Sequence, residues 1–317
     1  MSRLSPFNIG NFAAWSDVII MLVLGVIPLA IVFLCVRAKK KTKPAPIFLG
    51  VALTCVWCVI FWGSFIQPKI LTVKPYAIDL DTGTRTLRIA LISDLHLGPY
   101  KGAEWSAKVA ARINTLSPDL VIIDGDIVTI PAGIDELAPL KNIRAKFGVY
   151  AILGNWDYRV GAVDVRKQLG SYGIKMLVNR SVPIDVPIDL PSANGQKSIR
   201  LIGMDDYWFG KPDWKKALAE VPADAVTLVA VHNPDIIGEA ELRGIDLVLA
   251  GHTHGGQIRL PWIGAVPQIS LVYGNRFDHG LFTVGRTRLF ITPGVGESGA
   301  RARLFSTPEI SFVTLTL

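Results

Sequence analysis

Acidic residues, an asparagine and histidines follow five apolar runs of this chain, each at the point where the run ends. Their side chains offer carboxylate, amide and imidazole donors: Asp94, His96, Asp126, Asn155, His232, His252 and His254. Four of the chain's five histidines belong to this set, so chance placement explains the pattern poorly. Oxygen and imidazole donors without a thiolate suit Mn, Fe, Zn or Mg better than soft metals. The pattern predicts a site for divalent metals, with Mn²⁺ favoured.

Two metal ions held by such a set would make phosphoester hydrolysis possible. A carboxylate can bridge two ions, and two ions about 3.5–4 Å apart can clamp both oxygens of an in-line phosphoryl displacement. A metal ion also lowers the pKa of a bound water and so supplies a nucleophile at neutral pH. The donor set therefore favours a dinuclear hydrolytic centre.

The apolar runs before these donors predict strands that alternate with helices. The predicted strands lie around 87–91 and at Leu120–Ile123, Phe147–Leu153, Thr227–Val231 and Ile245–Leu249, and the predicted helices lie at Glu104–Leu116 and Asp235–Leu242. Such alternation is typical of an α/β domain with a central sheet. Ligands of open α/β sheets gather at the carboxyl ends of the strands, so five segments would deliver donors to one rim.

Three later segments complete the predicted domain. Phe277–Ile291 predicts a hairpin that turns at Gly285, and Ile310–Leu317 predicts a final strand. Pro183–Lys197 is rich in Pro, Asn and Gly, which indicates a hairpin or a surface loop.

The first seventy residues differ from the rest in both charge and hydropathy. They hold seven of the 33 Lys and Arg residues and one of the 26 acids, which leaves 26 basic and 25 acidic residues elsewhere. A nearly neutral domain disfavours nucleic acid as a partner. Uncharged runs at about 18–36 and 47–66 are each long enough to span a bilayer. We therefore predict a two-helix membrane anchor over 1–70 and a catalytic domain over 71–317.

The segment between the two runs is strongly basic, with five positive charges from Arg37 to Lys43. Short basic loops between membrane spans tend to lie in the cytoplasm. This tendency predicts a multi-pass protein of the cytoplasmic membrane whose catalytic domain is extracytoplasmic. The oligomeric state is not predicted by any feature of the sequence.

The donors also form ordered motifs, which resemble those of the calcineurin-like metallophosphoesterase superfamily. The resemblance covers residues 86–317 and rests on Asp94-x-His96, Gly125-Asp126, Gly154-Asn155, His232 and Gly251-His252-x-His254. Three further segments are similar to the bacterial membrane-associated branch: His232-Asn233-Pro234-Asp235, Gly255-Gly256-Gln257 with Arg259-Leu260-Pro261, and Arg303 with Pro308-Glu309-Ile310.

The resemblance implies a four-layer α/β/β/α sandwich and a role for each donor. One metal would be held by Asp94, His96 and His254, and the other by Asn155, His232 and His252. Asp126 would bridge the two metals, a bridging hydroxide would attack phosphorus, and Asp157 would support the ligands from behind without touching a metal.

The third motif departs from the family pattern at one position. The family usually has Gly-Asn-His-Asp, whereas this chain has Gly154-Asn155-Trp156-Asp157. In the family that histidine lies near the leaving-group oxygen, and an indole cannot act as a general acid near neutral pH. Three interpretations remain open. The leaving group needs little protonation, as in a pyrophosphate; another residue such as His279 donates the proton; or hydrolysis is slow or absent.

These alternatives give three candidate functions. The first is a hydrolase of a lipid-linked or membrane-proximal phosphodiester or pyrophosphate. The second is a UDP-2,3-diacylglucosamine pyrophosphate hydrolase of lipid A synthesis, because that family also has a non-histidine residue at this position. That reaction is cytoplasmic, which conflicts with the predicted topology. The third is a non-catalytic protein that keeps the metals and binds a phosphate ligand.

A row of three aromatic residues, Tyr207-Trp208-Phe209, follows the predicted strand Ser198–Met204. These side chains could contact the membrane or an acyl chain, or they could fold back onto the core.

Overall fold

A computed structural model describes residues 9–40, 44–80, 85–186, 191–192, 195–196, 198–266 and 272–317. The helices are α1 (Ile9–Lys40), α2 (Pro44–Phe61), α3 (Ala103–Leu116), α4 (Asn155–Val160), α5 (Ala162–Ser171), α6 (Trp214–Ala217) and α7 (Ile237–Glu241). Shorter helical turns occur at Trp62–Ile66, Gln67–Lys69, Pro131–Asn142, Pro234–Ile236, His254–Gly256 and Gly274–Phe277.

The strands come from the whole length of the chain beyond the first two helices. They are β1 (Thr72–Asp79), β2 (Thr86–Ile92), β3 (Leu120–Asp124), β4 (Val149–Ile152), β5 (Lys175–Met176), β6 (Arg180–Ile184), β7 (Pro191–Ser192), β8 (Gly195–Gln196), β9 (Ile199–Gly203), β10 (Val226–Ala230), β11 (Leu247–Ala250), β12 (Ile258–Leu260), β13 (Gly264–Val266), β14 (Gly280–Val284), β15 (Thr287–Ile291) and β16 (Glu309–Thr316).

Two six-stranded sheets form the centre of the domain. The first has the order β1-β16-β2-β3-β4-β5, and the second has the order β14-β15-β11-β10-β9-β6. Strands β2 to β5 run parallel, as do β9, β10, β11 and β15, whereas β16 is antiparallel to β2. Parallel strands covered on both faces are continuously apolar, which explains the fully buried run of β3.

Three apolar clusters define four layers. The middle cluster joins the facing sides of the two sheets and includes Ile122 and Phe290. An outer cluster packs α3 and α5 on the first sheet, and another packs α6 and α7 on the second. This is the predicted α/β/β/α sandwich. Phe290 is fully buried, so Phe290→Ala should cost about 3–5 kcal/mol of folding free energy.

Most predicted elements are confirmed within a few residues. The helix predicted at Glu104–Leu116 is α3, which ends at Ser117 in a left-handed conformation before Pro118. The late hairpin is confirmed as β14 and β15, but it begins at Gly280 because the residues around Phe277 form a helical turn. The described part of Pro183–Lys197 contains the end of β6 and the small hairpin β7–β8.

The two N-terminal helices are long and apolar enough to cross a membrane. The apolar stretches run over Ala13–Arg37 and Pro44–Lys69, so both are longer than the uncharged runs indicated. Most of their side chains are exposed, as expected for surfaces that face lipid rather than a protein core. The helices pack on each other, and Trp57 Nε1 donates to the Leu24 carbonyl at 2.9 Å.

Candidate metal centre

The seven candidate ligands come together from the carboxyl ends of five strands. They follow β2, β3 and β4 of the first sheet and β10 and β11 of the second: Asp94, His96, Asp126, Asn155, His232, His252 and His254. All seven are buried. The two sheets thus contribute to one site, as strand-end placement predicts.

Five of the seven residues have left-handed backbone conformations, with φ between +47° and +68°: Asp94, His96, Asp126, His252 and His254. Residues other than glycine rarely adopt this region, and each instance costs on the order of 1–3 kcal/mol. The loops are held there by backbone hydrogen bonds, such as Asp94 N to the Gly125 carbonyl and His96 N to the Asp126 carbonyl, both 3.0 Å. Strain of this kind is typical of functional sites.

One cluster consists of Asp94, His96 and His254, whose potential ligand atoms all lie within 4.8 Å of one another. Asp94 Oδ1 is 3.3 Å from His254 Nε2 and 3.8 Å from His96 Nε2. The two Nε2 atoms are themselves 3.2 Å apart. The other nitrogen of His96, Nδ1, lies 3.0 Å from Thr129 Oγ1, which orients the ring toward the cluster.

A second cluster consists of Asp126, His232 and His252, with the same spacing. Asp126 Oδ2 is 3.1 Å from His232 Nε2 and 3.6 Å from His96 Nε2, so this oxygen faces both clusters. His232 Nδ1 lies 2.7 Å from the Asp124 carbonyl, which fixes its ring. Asn155, the first residue of α4, is buried and lines the same cavity as Asp126 and His252.

The donor set fits two cations. Several buried polar atoms have no hydrogen-bond partner among the described residues, including Asp94 Oδ1, Asn155 Oδ1 and both ring nitrogens of His252. Leaving such groups unpaired costs about 1–3 kcal/mol each. A divalent ion in each cluster would satisfy them and would compensate the buried carboxylates.

The ionisation of these groups reflects burial and crowding. Burial opposes ionisation of Asp94, but His254 and its neighbours hold the pKa of this carboxyl well below its usual range. Burial lowers the pKa of His252 to about 4 and that of His254 to about 3. Unprotonated imidazoles and an ionised carboxylate are the forms that bind metal ions.

Asp157 supports the two ligand loops without facing either cluster. Its Oδ1 accepts hydrogen bonds from the backbone N–H groups of Ile127 and Val128, at 2.9 and 3.1 Å. Its Oδ2 accepts from Gly154 N at 2.9 Å. Burial, followed by repulsion from Asp126, raises the pKa of Asp157 to about 7. These contacts agree with the supporting role expected for this residue.

Two glycines allow the ligand loops to approach closely. A Cβ on Gly154 would collide with Asp126 Oδ1, and a Cβ on Gly251 would collide with Ser93 Oγ. Asp126 Oδ1 instead accepts a hydrogen bond from Trp156 N at 2.8 Å. The glycines of both motifs are therefore required by packing and not only by turn geometry.

Arg303 contacts a candidate ligand from behind, and reasoning from residue spacing did not identify it. It is fully buried, and its Nη1 donates to the carbonyls of His254 and Pro293 at 2.9 and 2.8 Å. Its Nη2 lies 3.3 Å from His254 Nδ1. A buried arginine beyond the last ligand motif was visible in the sequence only through the family resemblance.

Residues of both clusters line a cavity of about 410 Å³. Its lining combines Asp126, Asn155, His252 and His254 with Trp156, Arg159, Trp208 and a wall formed by Gly256–Ile258, Val266 and Ser298–Ala300. Arg159 lies over the rings of Trp156 and Phe209, at 5.0 and 4.8 Å from their centroids. The cavity therefore has a cation at its aromatic side.

The three aromatic residues at 207–209 take different positions. Tyr207 packs on the outer core of the second sheet. Trp208 lines the cavity with its ring edge-on to His252, at 4.3 Å between centroids. Phe209 is exposed and contacts Arg159. Only Tyr207 folds back onto the core.

His279 lies beside the site but outside the lining of this cavity. Its Nδ1 is 3.5 Å from Asp278 Oδ1, and it neighbours Gly255, the residue after His254. A role as proton donor remains a prediction.

Comparisons with known proteins agree with this geometry. The model of the calcineurin-like phosphoesterase family matches residues 87–256. The chain is 29% identical over 261 residues to the uncharacterized metallophosphoesterase YkuE of Bacillus subtilis, covering 80% of this chain and 88% of that protein. It is 31% identical over 297 residues to a transmembrane protein with metallophosphoesterase domain of Bos taurus, covering 87% and 63%.

A third relative is named for a specific reaction. The chain is 27% identical over 303 residues to the UDP-2,3-diacylglucosamine pyrophosphatase LpxG of Chlamydia trachomatis, covering 78% of this chain and 90% of that protein. The family match spans more than half of the chain and includes all seven candidate ligands. The chain belongs to the calcineurin-like phosphoesterase family, whose members are metal-dependent hydrolases of phosphoesters.

Proposed function

We propose that this chain hydrolyses phosphodiester or pyrophosphate bonds of lipid-linked or membrane-proximal substrates. In this proposal residues 1–70 anchor the protein in the membrane and residues 71–317 form the catalytic domain. The observation that carries it is the pair of buried carboxylate–histidine clusters beside one cavity, with Asp126 Oδ2 of one cluster 3.6 Å from His96 Nε2 of the other. The two apolar helices and the relatives of Bos taurus and Chlamydia trachomatis support the membrane setting.

The ligands would divide as the two clusters do. Asp94, His96 and His254 would hold one divalent ion, and His232, His252 and Asn155 would hold the other, with Asp126 between them. Two such ions supply charge neutralisation for the phosphate oxygens and a low pKa for bound water. Mn²⁺ is the ion we favour, because the donors are carboxylate, amide and imidazole.

The chain's own side chains would bind and orient the phosphate. Arg159 lines the cavity, and among the described residues no carboxylate forms an ion pair with it. A guanidinium is a strong partner for a phosphate group. Trp156 and Trp208 flank the metal ligands and exclude water from that side. The cavity would thus fix one phosphate over the clusters and a second anionic group near Arg159.

The residue that replaces the family's usual proton donor makes one class of substrate more favourable than others. Trp156 stands where the family has a histidine, and its indole lines the cavity. General acid help is worth about 10²–10⁴-fold, most for leaving groups of high pKa. A phosphate released from a pyrophosphate needs little protonation. We therefore favour substrates with such a leaving group.

The direct test is hydrolysis of bis(p-nitrophenyl) phosphate by the full chain in detergent with Mn²⁺. Wild-type protein should release nitrophenol, and Asp126→Ala should abolish the release because both clusters lose an oxygen. Asp119→Ala is the matched control, since Asp119 pairs with Arg88 at 3.1 Å on the other end of the strands. Release that survives Asp126→Ala would overturn the proposal.

A second candidate is hydrolysis of UDP-2,3-diacylglucosamine, which LpxG suggests through its name and its 27% identity. This substrate would have to reach the catalytic domain from the cytoplasm. We place that domain outside the cytoplasm, because the basic residues between α1 and α2 favour a cytoplasmic loop. Alkaline phosphatase fused to the C-terminus should then be active. If this fusion is inactive and a fusion with green fluorescent protein is fluorescent, the C-terminus is cytoplasmic, which would favour the UDP-linked substrate.

A third candidate is not an enzyme but a protein that binds a phosphate ligand without hydrolysing it. The observation that favours it is Trp156, which stands where the family usually has a histidine. Two measurements separate it from the enzyme. Bound metal with no turnover by either wild type or Trp156→His would favour the binding protein. Turnover by wild type on any phosphodiester would exclude it.

A further inference from the structure

The β12–β13 hairpin carries an apolar tip that no part of the described chain covers. Leu260, Trp262 and Ile263 at this tip are all exposed, and the side chain of Trp262 is fully accessible. Trp262 also has φ +64°, a conformation that an aromatic residue rarely adopts. Soluble surfaces seldom gather large apolar side chains on one short hairpin.

The hairpin is hydrogen-bonded to a segment that is itself hydrogen-bonded to the chain just after the second apolar helix. Arg259 N donates to the Leu304 carbonyl at 2.8 Å, and Leu304 N donates to the Gln257 carbonyl at 3.0 Å. The neighbouring Arg303 N donates to the Gly63 carbonyl at 2.8 Å, just past the end of α2. The segment around Leu304 therefore lies between the hairpin and the membrane helix.

The same segment contacts the beginning of the first apolar helix. Arg301 forms an ion pair with Asp17 at 3.0 Å, and its guanidinium lies over the ring of Tyr100. The Tyr100 hydroxyl donates to the Ala13 carbonyl at 3.2 Å. The start of α1 and the end of α2 belong to the same side of a two-span hairpin. With α1 and α2 spanning a bilayer, residues 301–305 would lie at the face of the bilayer where α1 begins and α2 ends.

Exposed apolar residues continue from the helices to the hairpin. Trp62 and Ile66 at the end of α2 are exposed, and so is Phe305 beside Leu304. Phe305 N faces Gln67 Oε1 at 3.4 Å, and Trp62 Nε1 donates to the same oxygen at 3.1 Å. Together with the hairpin tip these residues form a surface that continues the predicted membrane contact.

The base of the hairpin forms part of the wall of the catalytic cavity. Ile258 and Val266 line it, together with Gly256 and Gln257, and Trp156 and Arg159 line the same cavity. One face of the hairpin thus borders the site and its tip is apolar. This arrangement places the membrane-side edge of the cavity at the hairpin.

We propose that the tip at Leu260–Ile263 inserts into the interfacial layer of the bilayer and that a lipid headgroup phosphate reaches the cavity along this hairpin. Tryptophan is enriched at membrane–water interfaces because its ring is apolar and its N–H remains hydrated. The occupant of this surface is therefore a lipid bilayer. The inference rests on the proposed membrane-proximal hydrolase and adds the route by which its substrate arrives.

The first test compares one leaving group in water and in a membrane. The soluble probe is bis(p-nitrophenyl) phosphate, and the membrane probe is a nitrophenyl phosphodiester of dioleoylglycerol in phosphatidylcholine vesicles that also hold the protein. Trp262→Ser should lower the ratio of the vesicle rate to the soluble rate roughly tenfold, since it removes a large apolar contact. Leu242→Ser is the matched control, because Leu242 is also a largely exposed apolar residue and lies directly after α7, outside the hairpin.

A second measurement does not depend on activity. A dansyl probe is attached at Trp262→Cys or at Leu242→Cys after replacement of Cys35, Cys55 and Cys58 by serine, which are the chain's three cysteines. Lipid-borne nitroxide should quench the probe at 262 and leave the probe at 242 unaffected. Equal access of aqueous iodide to both probes, or an unchanged rate ratio in Trp262→Ser, would overturn the inference. Absence of all hydrolysis would count against the proposed function alone, because the quenching result would still stand.

Discussion

The guanidinium of Arg303 donates a hydrogen bond to the carbonyl of His254 at 2.9 Å, while its own backbone N–H donates to the carbonyl of Gly63 at 2.8 Å. One buried residue thus contacts a candidate metal ligand and the end of an apolar helix. Its Nε and Nη2 also donate to the Gly296 carbonyl. The position of the site and the position of the end of α2 are therefore connected through a single residue.

Arg303→Met should destabilise the fold and weaken metal binding together. The substitution removes the side-chain donors to the carbonyls of Pro293 and Gly296, and a buried unsatisfied group costs about 1–3 kcal/mol. We expect a clear loss of thermal stability in detergent and a lower Mn²⁺ content by elemental analysis. Arg301→Met, which removes a partly exposed ion pair, should change both much less. Equal effects of the two variants would contradict this role.

Asp157→Ala should lower metal affinity although this side chain faces neither cluster. Three backbone donors on the Asp126 and Asn155 loops would lose their acceptor. Loss of a residue that orients ligands typically costs 10–100-fold in metal affinity. Competition with a fluorescent chelator measures this change. Asp164→Ala, an exposed carboxylate on the next helix, is the control and should bind Mn²⁺ as the wild type does.

Trp156→His should raise turnover selectively on poor leaving groups. A histidine there can protonate an alkoxide, and such help is worth about 10²–10⁴-fold. We expect a large gain with an alkyl phosphodiester and little change with bis(p-nitrophenyl) phosphate. A plot of log rate against the pKa of the leaving group gives the test: its slope should become shallower in the variant. An unchanged slope would mean that position 156 does not set the leaving-group preference.

Stability should rise with pH between about 8 and 10.5 because of Lys101. This lysine is buried against Trp105 and Glu297, and burial lowers its pKa from 10.5 to about 8. Between these values the unfolded chain binds more protons than the folded chain, so the free energy of unfolding increases with pH. Below about pH 8 the full cost of the buried charge is present.

The double variant Lys101→Met with Glu297→Gln removes this titration together with its partner. Thermal unfolding is measured from about pH 7.5 to about pH 10.5, the interval that the two pKa values set. The stability of the double variant should depend less on pH than that of the wild type. A dependence as steep as that of the wild type would assign the effect to other groups.

The layers were predicted correctly from the sequence, and the residues predicted as ligands lie together at one rim, for physical reasons. Apolar runs that end in Asp, Asn or His mark buried parallel strands, and such strands align their carboxyl ends at one rim. The position of Asp126 between the two clusters was expected from the family resemblance, and its Oδ2 faces His232 and His96. The pattern of apolar runs and the order of the motifs are local properties of the sequence, so both can be read from it directly.

Other features could not be predicted, because they depend on contacts between distant segments. The left-handed conformations of Asp94 and His252 follow from hydrogen bonds with other loops. Strand β1 was missed because its residues are largely exposed at a sheet edge and show little apolar alternation. The β12–β13 hairpin has only three residues in each strand, too few for a periodic signal.

The number and position of bound metal ions test the central claim most directly. Anomalous diffraction from crystals of the full chain grown with Mn²⁺ should show two ions, one among Asp94, His96 and His254 and one among His232, His252 and Asn155, with Asp126 touching both. In Asp126→Ala the two peaks should be lost or reduced to one. Two ions at these positions in wild type would agree with the account. A single ion, or two ions that remain fully occupied without Asp126, would contradict it.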